Sequence, residues 1–133
     1  MPFYHALVRP GVLPEHARQP FSADVVDVHC GATGAPPSFV HLLVTEDGDG
    51  RLPDGIVAQI NGTIRAGRTD AQKATIHEGM SAALARHAGV DVDAVRTATA
   101  DIEASHTMEG GQLLPEPGSP EEEAWKAIGS DAS

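Results

Sequence analysis

Cysteine is almost missing: Cys30 is the only one in 133 residues. No internal disulfide can form, so the fold must hold by packing alone, which suits a reducing compartment and gives the cytoplasm as the expected location. Basic residues are also scarce. Nine lysines and arginines stand against 19 acids, a net charge of −10, which repels phosphate backbones and anionic headgroups and excludes nonspecific nucleic-acid binding. Nowhere do 18 apolar residues run together, and Met1-Pro2-Phe3-Tyr4-His5 has no basic segment followed by an apolar one, so neither an export signal nor a membrane partner is expected. What is present is an ordinary globular composition, 41% hydrophobic, over a length that fits one domain.

Residues 3–9 are aromatic and β-branched without a breaker, which predicts a strand ended by Pro10-Gly11. From 14 to 30 the pattern is helical, with Ala17, Phe21, Val25 and Val28 on one face at spacings of four, four and three, and Gly31 reads as the stop. Pro20 deletes a backbone donor and crowds the preceding turn, so this helix is expected to kink or to start late. Residues 38–46 read as a second strand, followed by a loop of turn residues. The order then recurs: strand 56–64, helix 69–87, Gly89, strand 94–102. The second helix is the better written, because Thr69 and Gln72 match a capping box and Ile76, Met80 and Leu84 repeat every four residues. Two βαβ units, about 2–46 and 56–102, thus predict one α/β domain over 1–104 with a parallel crossover in each unit.

After residue 104 the composition turns to Gly, Pro and acid. Residues 109–133 carry six acids against one lysine, half of the net charge. A tail that also holds Trp125, Leu113 and Leu114 has area to bury, so 105–133 is expected to pack on a neighbouring surface. A short helix from Glu121 is possible, with its three glutamates as a solvated face.

Several motifs fail on inspection. His77-Glu78-Gly79-Met80-Ser81 starts like a helical zinc-protease motif, but Ser81 stands where the second histidine must face the metal. Asp47-Gly48-Asp49-Gly50 starts like a calcium loop, yet Arg51 takes a ligand position, Leu52 replaces the required glycine and the bidentate glutamate is missing. Asn61-Gly62-Thr63 reads as strand. There is no glycine-rich phosphate cradle and no nucleophile elbow, and the seven histidines are scattered, so no metal site is expected.

Pro2 is different. Removal of Met1, which a small second residue permits, would make it the amino terminus and its nitrogen a secondary amine. Terminal amines titrate near neutrality, and nearby arginines favour the uncharged form; such a nitrogen serves as general base, or as general acid when charged. Read singly, the other candidates have plain explanations. His29 at a helix C-terminus suits the helix dipole, and Arg65 and Arg68 suit a solvated loop.

Taken in order, Met1-Pro2 opening a strand, the two βαβ units, Asp27-Val28-His29-Cys30-Gly31-Ala32-Thr33-Gly34, Arg65-Ala66-Gly67-Arg68, and Glu109-Gly110-Gly111-Gln112-Leu113-Leu114-Pro115-Glu116-Pro117-Gly118 resemble the tautomerase superfamily. The likeness is greatest to its cis-3-chloroacrylic acid dehalogenase group, and it covers nearly the whole chain. That resemblance implies a homotrimer with sites built partly from neighbouring subunits, and a reaction that needs no cofactor. It implies Pro2 as the catalytic proline, Arg65 and Arg68 as the pair that binds a substrate carboxylate, His29 as the histidine assisting at the carboxylate or carbonyl, and Glu109 as the glutamate that positions water in hydrating members. A guanidinium fork pairs bidentately with a planar carboxylate, so the arginines suit that role.

The sequence departs from the group at one point. The tyrosine of dehalogenating members falls on Ala98, and the only tyrosine, Tyr4, is at the other end of the chain. Thr97 or Thr99 lacks a phenol's reach and acidity, so efficient dehalogenation is not expected. Gln112 and Leu113 replace bulkier or charged residues and imply a differently shaped pocket. The expected activity is proton transfer on a small 2-oxo, enol or unsaturated carboxylate, with hydration or decarboxylation needing further groups. The alternative is a non-catalytic trimeric carboxylate-binding or accessory protein.

Overall fold

A computed structural model of the chain describes residues 1–131; residues 132 and 133, the end of the predicted tail, lie outside the described residues. The first unit is β1 (Phe3–Val8), α1 (Glu15–Thr33) and β2 (His41–Glu46), and the second is β3 (Ala58–Arg65), α2 (Asp70–Ala88) and β4 (Val95–Ile102). β1 pairs in parallel with β2 and β3 with β4, while β1 and β3 run antiparallel at the centre, giving the order β2-β1-β3-β4. That central pairing positions the site. Phe3 stands opposite Thr63, so the start of the chain comes beside the end of β3 and the Arg65–Arg68 loop.

The core lies between one face of the sheet and the two helices. Alternate residues Tyr4, Ala6 and Val8 of β1 and Ala58, Ile60 and Ile64 of β3 are buried against Ala17, Phe21 and Val25 of α1 and Ile76, Met80 and Leu84 of α2. The period-2 and period-4 patterns account for this division. Among the described residues no helix covers the other face of the sheet, and Phe3 and Leu43 are 47% and 49% exposed there. Asp24 fastens α1 to α2 by accepting from Arg86 at 2.6 Å and pairing with His87 at 2.5 Å. No helix among the described residues is long and apolar enough to cross a membrane.

The structure differs from the sequence reading in three respects. α1 runs through Pro20 and past Gly31 to Thr33, with Gly34 as its left-handed cap at φ 75°. Pro20 is tolerated because it faces solvent, where the carbonyl that lost its donor can be hydrated, and Gly31 is simply a helical residue. The buried stripe of α1 ends on His29 rather than Val28, four residues after Val25. Finally, the second strand starts at His41 and not at 38, because Pro36 and Pro37 lack the amides a strand needs and set up a 3₁₀ turn over Pro37–Phe39 instead. The capping box of α2 is formed in both directions, Thr69 Oγ1 accepting from the Gln72 amide at 3.1 Å and Gln72 Oε1 from the Thr69 amide at 2.8 Å.

The end of the chain returns to that 3₁₀ turn. A two-residue hairpin, β5 (Met108–Glu109) with β6 (Gln112–Leu113), turns at Gly110-Gly111, and α3 (Glu121–Asp131) follows. α3 docks on its own chain: the Trp125 and Phe39 ring centroids are 4.5 Å apart, and Ser38 Oγ donates to the Gly129 carbonyl at 2.6 Å.

Candidate active site

Pro2, His29, Arg65, Arg68 and Glu109 are brought to one end of the sheet. Pro2 is wholly buried at the head of β1, and its carbonyl accepts from the His41 amide at 3.2 Å. Met1 precedes it, and its amine forms an ion pair with the Glu109 carboxylate carried by the β5–β6 hairpin. Burial first, and the Arg65 charge second, lower this amine from 8.0 to about 6. Desolvation is thus the larger force on a nitrogen placed here, ahead of the like-charge repulsion expected from sequence.

His29 is 2% exposed. Its Nδ1 lies 2.7 Å from the Tyr4 hydroxyl, with the rings edge to face. Burial, then Arg68, then the terminal amine push the imidazole down to about 3, while burial pushes the Tyr4 phenol above its ordinary value. Among the described residues the Tyr4 hydroxyl has no other partner, so its proton is assigned to the bond with Nδ1, and the neutral ring carries its own proton on Nε2. Tyr4 has room for this bond because Gly62 lies under its ring, where any Cβ would meet Tyr4 Cε1 and Cδ1.

Acid unfolding reports on His29. Its folded value lies below the unfolded 6.5, so the unfolded state binds the extra proton, and stability falls as the pH drops from about 6.5 toward 3. Between about pH 6.5 and 5, ahead of most carboxylate titration, urea unfolding should show this slope in the wild type and a flatter one in His29→Gln. Equal slopes would remove the buried neutral imidazole from the account.

Arg65, the last residue of β3, is 3% exposed. Its guanidinium donates to the Pro115 carbonyl at 2.7 Å and to Glu122 Oε2 at 2.5 Å, and lies 4.7 Å from the Trp125 ring centroid. The Nε of Arg65 and the Nε of Arg68 are both buried without a partner. Burial, then the Arg65 charge, lowers Arg68 from its usual value. Burial raises Glu122, but the hydrogen bond and charge of Arg65, with the Gly118 amide and Lys126, win and hold it below the ordinary carboxylate range. Pro117 closes over the loop from outside, where a Cβ on Gly67 would stand 2.8 Å from Pro117 Cγ.

Three participants were not foreseen. Tyr4 was set aside as remote, yet it shares with Pro2 one face of β1, two residues on, and a period-2 reading contained that signal. Glu122 is a half-buried ion-pair partner and not part of a solvated face, and Trp125 stacks on the same guanidinium; neither carries a local signal. Ala98 pairs with Asn61 in mid-sheet, and Thr97 and Thr99 are engaged by Ser81 and His77 of α2 at 2.6 and 2.9 Å, so none of the three supplies a hydroxyl to this end. Among the described residues, no three His, Cys, Asp or Glu gather in a way that could hold a metal ion.

Comparison with known proteins finds no matching family model and no matching curated protein. Solved structures do match. A member of the cis-3-chloroacrylic acid dehalogenase family called N1 is 26% identical, with 97% of this chain and 99% of that one covered and a TM-score of 0.84. A protein called Ps01740 is 36% identical, over 80% of this chain and 99% of its own, with a TM-score of 0.72. A fused 4-OT, solved as a symmetric trimer, shares the fold at 22% identity, with 84% and 94% coverage and a TM-score of 0.75.

Proposed function

The chain belongs to the tautomerase superfamily, and we propose that it is a cofactor-independent enzyme of that superfamily, with Pro2, freed by removal of Met1, moving a proton on a small 2-oxo, enol or unsaturated carboxylate. The observation that carries this reading is the convergence of the first residues of the chain with Arg65, Arg68, His29 and Glu109, where burial and Arg65 lower a terminal amine to about 6. Burial and the Arg65 charge act in the same direction on the Pro2 nitrogen once it is terminal, favouring its uncharged form.

Arg65 and Arg68 supply forked donors for the carboxylate. Neutral His29 offers Nε2–H to the oxygen on which negative charge develops, at no reorganisation cost because Tyr4 fixes the ring. In the minimal reaction the Pro2 nitrogen takes the proton of an enol hydroxyl as the carbonyl forms, then returns it to carbon, so no net proton is gained or lost. Glu109 holds the terminal nitrogen in place, and is the group available to activate water should hydration occur. Dehalogenation is left out, since this chain brings no second phenol to the site.

We also place the protein in the cytoplasm, consistent with its single unpaired cysteine, and read it as a homotrimer. The uncovered sheet face with Phe3 and Leu43 offers an apolar surface for association, and the fused 4-OT that shares the fold is a trimer. A second reading, a trimeric carboxylate-binding or accessory protein without turnover, is favoured by one observation: in the chain as encoded, Met1 makes the Pro2 nitrogen an amide, and its own amine is already paired with Glu109. Intact mass of the untagged protein, followed by a panel of enol, acetylenic and halogenated acids, decides. Loss of Met1 with turnover supports the enzyme; retained Met1, or carboxylate binding without turnover across the panel, supports the binding protein.

A further inference from the structure

The guanidinium assigned to a substrate carboxylate already holds one. Glu122 Oε2 sits 2.5 Å from Arg65, and the Pro115 carbonyl takes another donor of the same group at 2.7 Å. Even so, donors around Arg65 remain unsatisfied. The Nε of Arg65, the Nε of Arg68 and the Nε1 of Trp125 are all buried with no partner, and buried donors without acceptors are costly and uncommon. The charges point the same way. Glu122 already meets the Arg65 guanidinium, so a carboxylate that replaces it keeps one pairing, whereas one added beside it sets two like charges against each other.

We propose that Glu122 determines which ligands the site takes by occupying the carboxylate position on Arg65, so that a small monocarboxylate enters by exchange with it and displaces α3, while a neutral carbonyl compound of the same size leaves α3 in place. The inference rests on the reading of Arg65 as a carboxylate binder. The hinge is short and named. Glu122 stands one residue into α3, after Pro117, Gly118, Ser119 and Pro120, and α3 is otherwise tied down by Phe39 against Trp125 and by the bond from Ser38 to Gly129. A released Glu122 finds Lys126 one turn along its own helix, 3.7 Å from Oε1 in the closed arrangement, so its charge is met by a surface cation after exchange.

Trp125 is the only tryptophan and lies on Arg65, so its fluorescence reads the position of α3 directly. Titration with pyruvate should give a saturable change in the wild-type chain, and titration with pyruvamide, the neutral counterpart, should give none. Glu122→Gln, which keeps the shape and removes the charge, should bind pyruvate about 10-fold more tightly or better, the scale of one charge-assisted hydrogen bond released from competition. Hydrogen exchange of the wild-type chain needs no variant: α3 amides should exchange faster at saturating pyruvate. Pyruvate binding to the wild type with unchanged or weaker affinity in Glu122→Gln, or with α3 exchange unchanged or slowed, overturns the exchange while leaving Arg65 as a carboxylate binder. Absence of pyruvate binding in both chains overturns the exchange and the carboxylate reading together.

Discussion

Pro2→Ala, prepared with Met1 removed so that a free amine is kept, is expected to lower turnover of an enol carboxylate by about 100-fold or more, the scale of a positioned general acid–base. The loss should fall on kcat, since Arg65 and Arg68 are untouched and carboxylate binding should persist. Alanine leaves a primary amine in the same buried place, so the comparison isolates the secondary amine and its fixed geometry from mere presence of a terminal nitrogen. The pH profile sharpens it. Burial and Arg65 hold a terminal nitrogen at this position down, to about 6 for Met1; activity that needs a free base should therefore be retained through neutrality and decline on the acid side of a depressed value. Unchanged kcat would remove Pro2 from the chemistry, and an acid limb that is not depressed would remove burial and Arg65 as the cause of its basicity.

Arg65→Ala carries the second large effect, and it acts on two observables at once. Affinity for pyruvate should fall about 100-fold, in line with truncation of one partner of a buried charged pair. Folding stability should fall by about 3 kcal/mol, because Glu122 keeps its charge in a half-buried position with its cation gone and Trp125 loses the guanidinium beneath it. The sign is opposite to that for Glu122→Gln, in which binding tightens. Arg65→Lys separates charge from shape: a lysine restores attraction to Glu122 but not the planar fork, so stability should recover more than affinity. An Arg65→Ala protein with wild-type unfolding and wild-type pyruvate affinity would leave the arginine as surface charge, the plain reading its sequence context also allowed.

Much of this was legible in residue order. The unbroken aromatic and β-branched run of 3–9, four-residue spacing in α1 and α2, and the Thr69–Gln72 box marked the elements, because each is a local rule in which neighbours in sequence are neighbours in space. Gly31 and Pro20 misled for the same reason. A glycine stops a helix only when its φ turns positive, and that happens at Gly34; a proline breaks one only where the lost bond cannot be replaced by water. His29 was placed by resemblance to a family, yet its burial could have been read from the stripe Ala17, Phe21, Val25, His29, and Tyr4 from its two-residue distance to Pro2.

The sequence by itself determined the α/β order, the net charge of −10, and, through its resemblance to a family, the set Pro2, His29, Arg65, Arg68 and Glu109 as candidates. Tertiary structure alone decided what each of them meets. Only the antiparallel pairing of β1 with β3 brings Met1 and Pro2 beside Arg65, and only the return of α3 onto the turn at 37–39 delivers Glu122 and Trp125 across 57 and 60 residues of chain to the same guanidinium. Desolvation, which sets the amine and the imidazole, is a property of everything packed around a group, and no local stretch of sequence contains it.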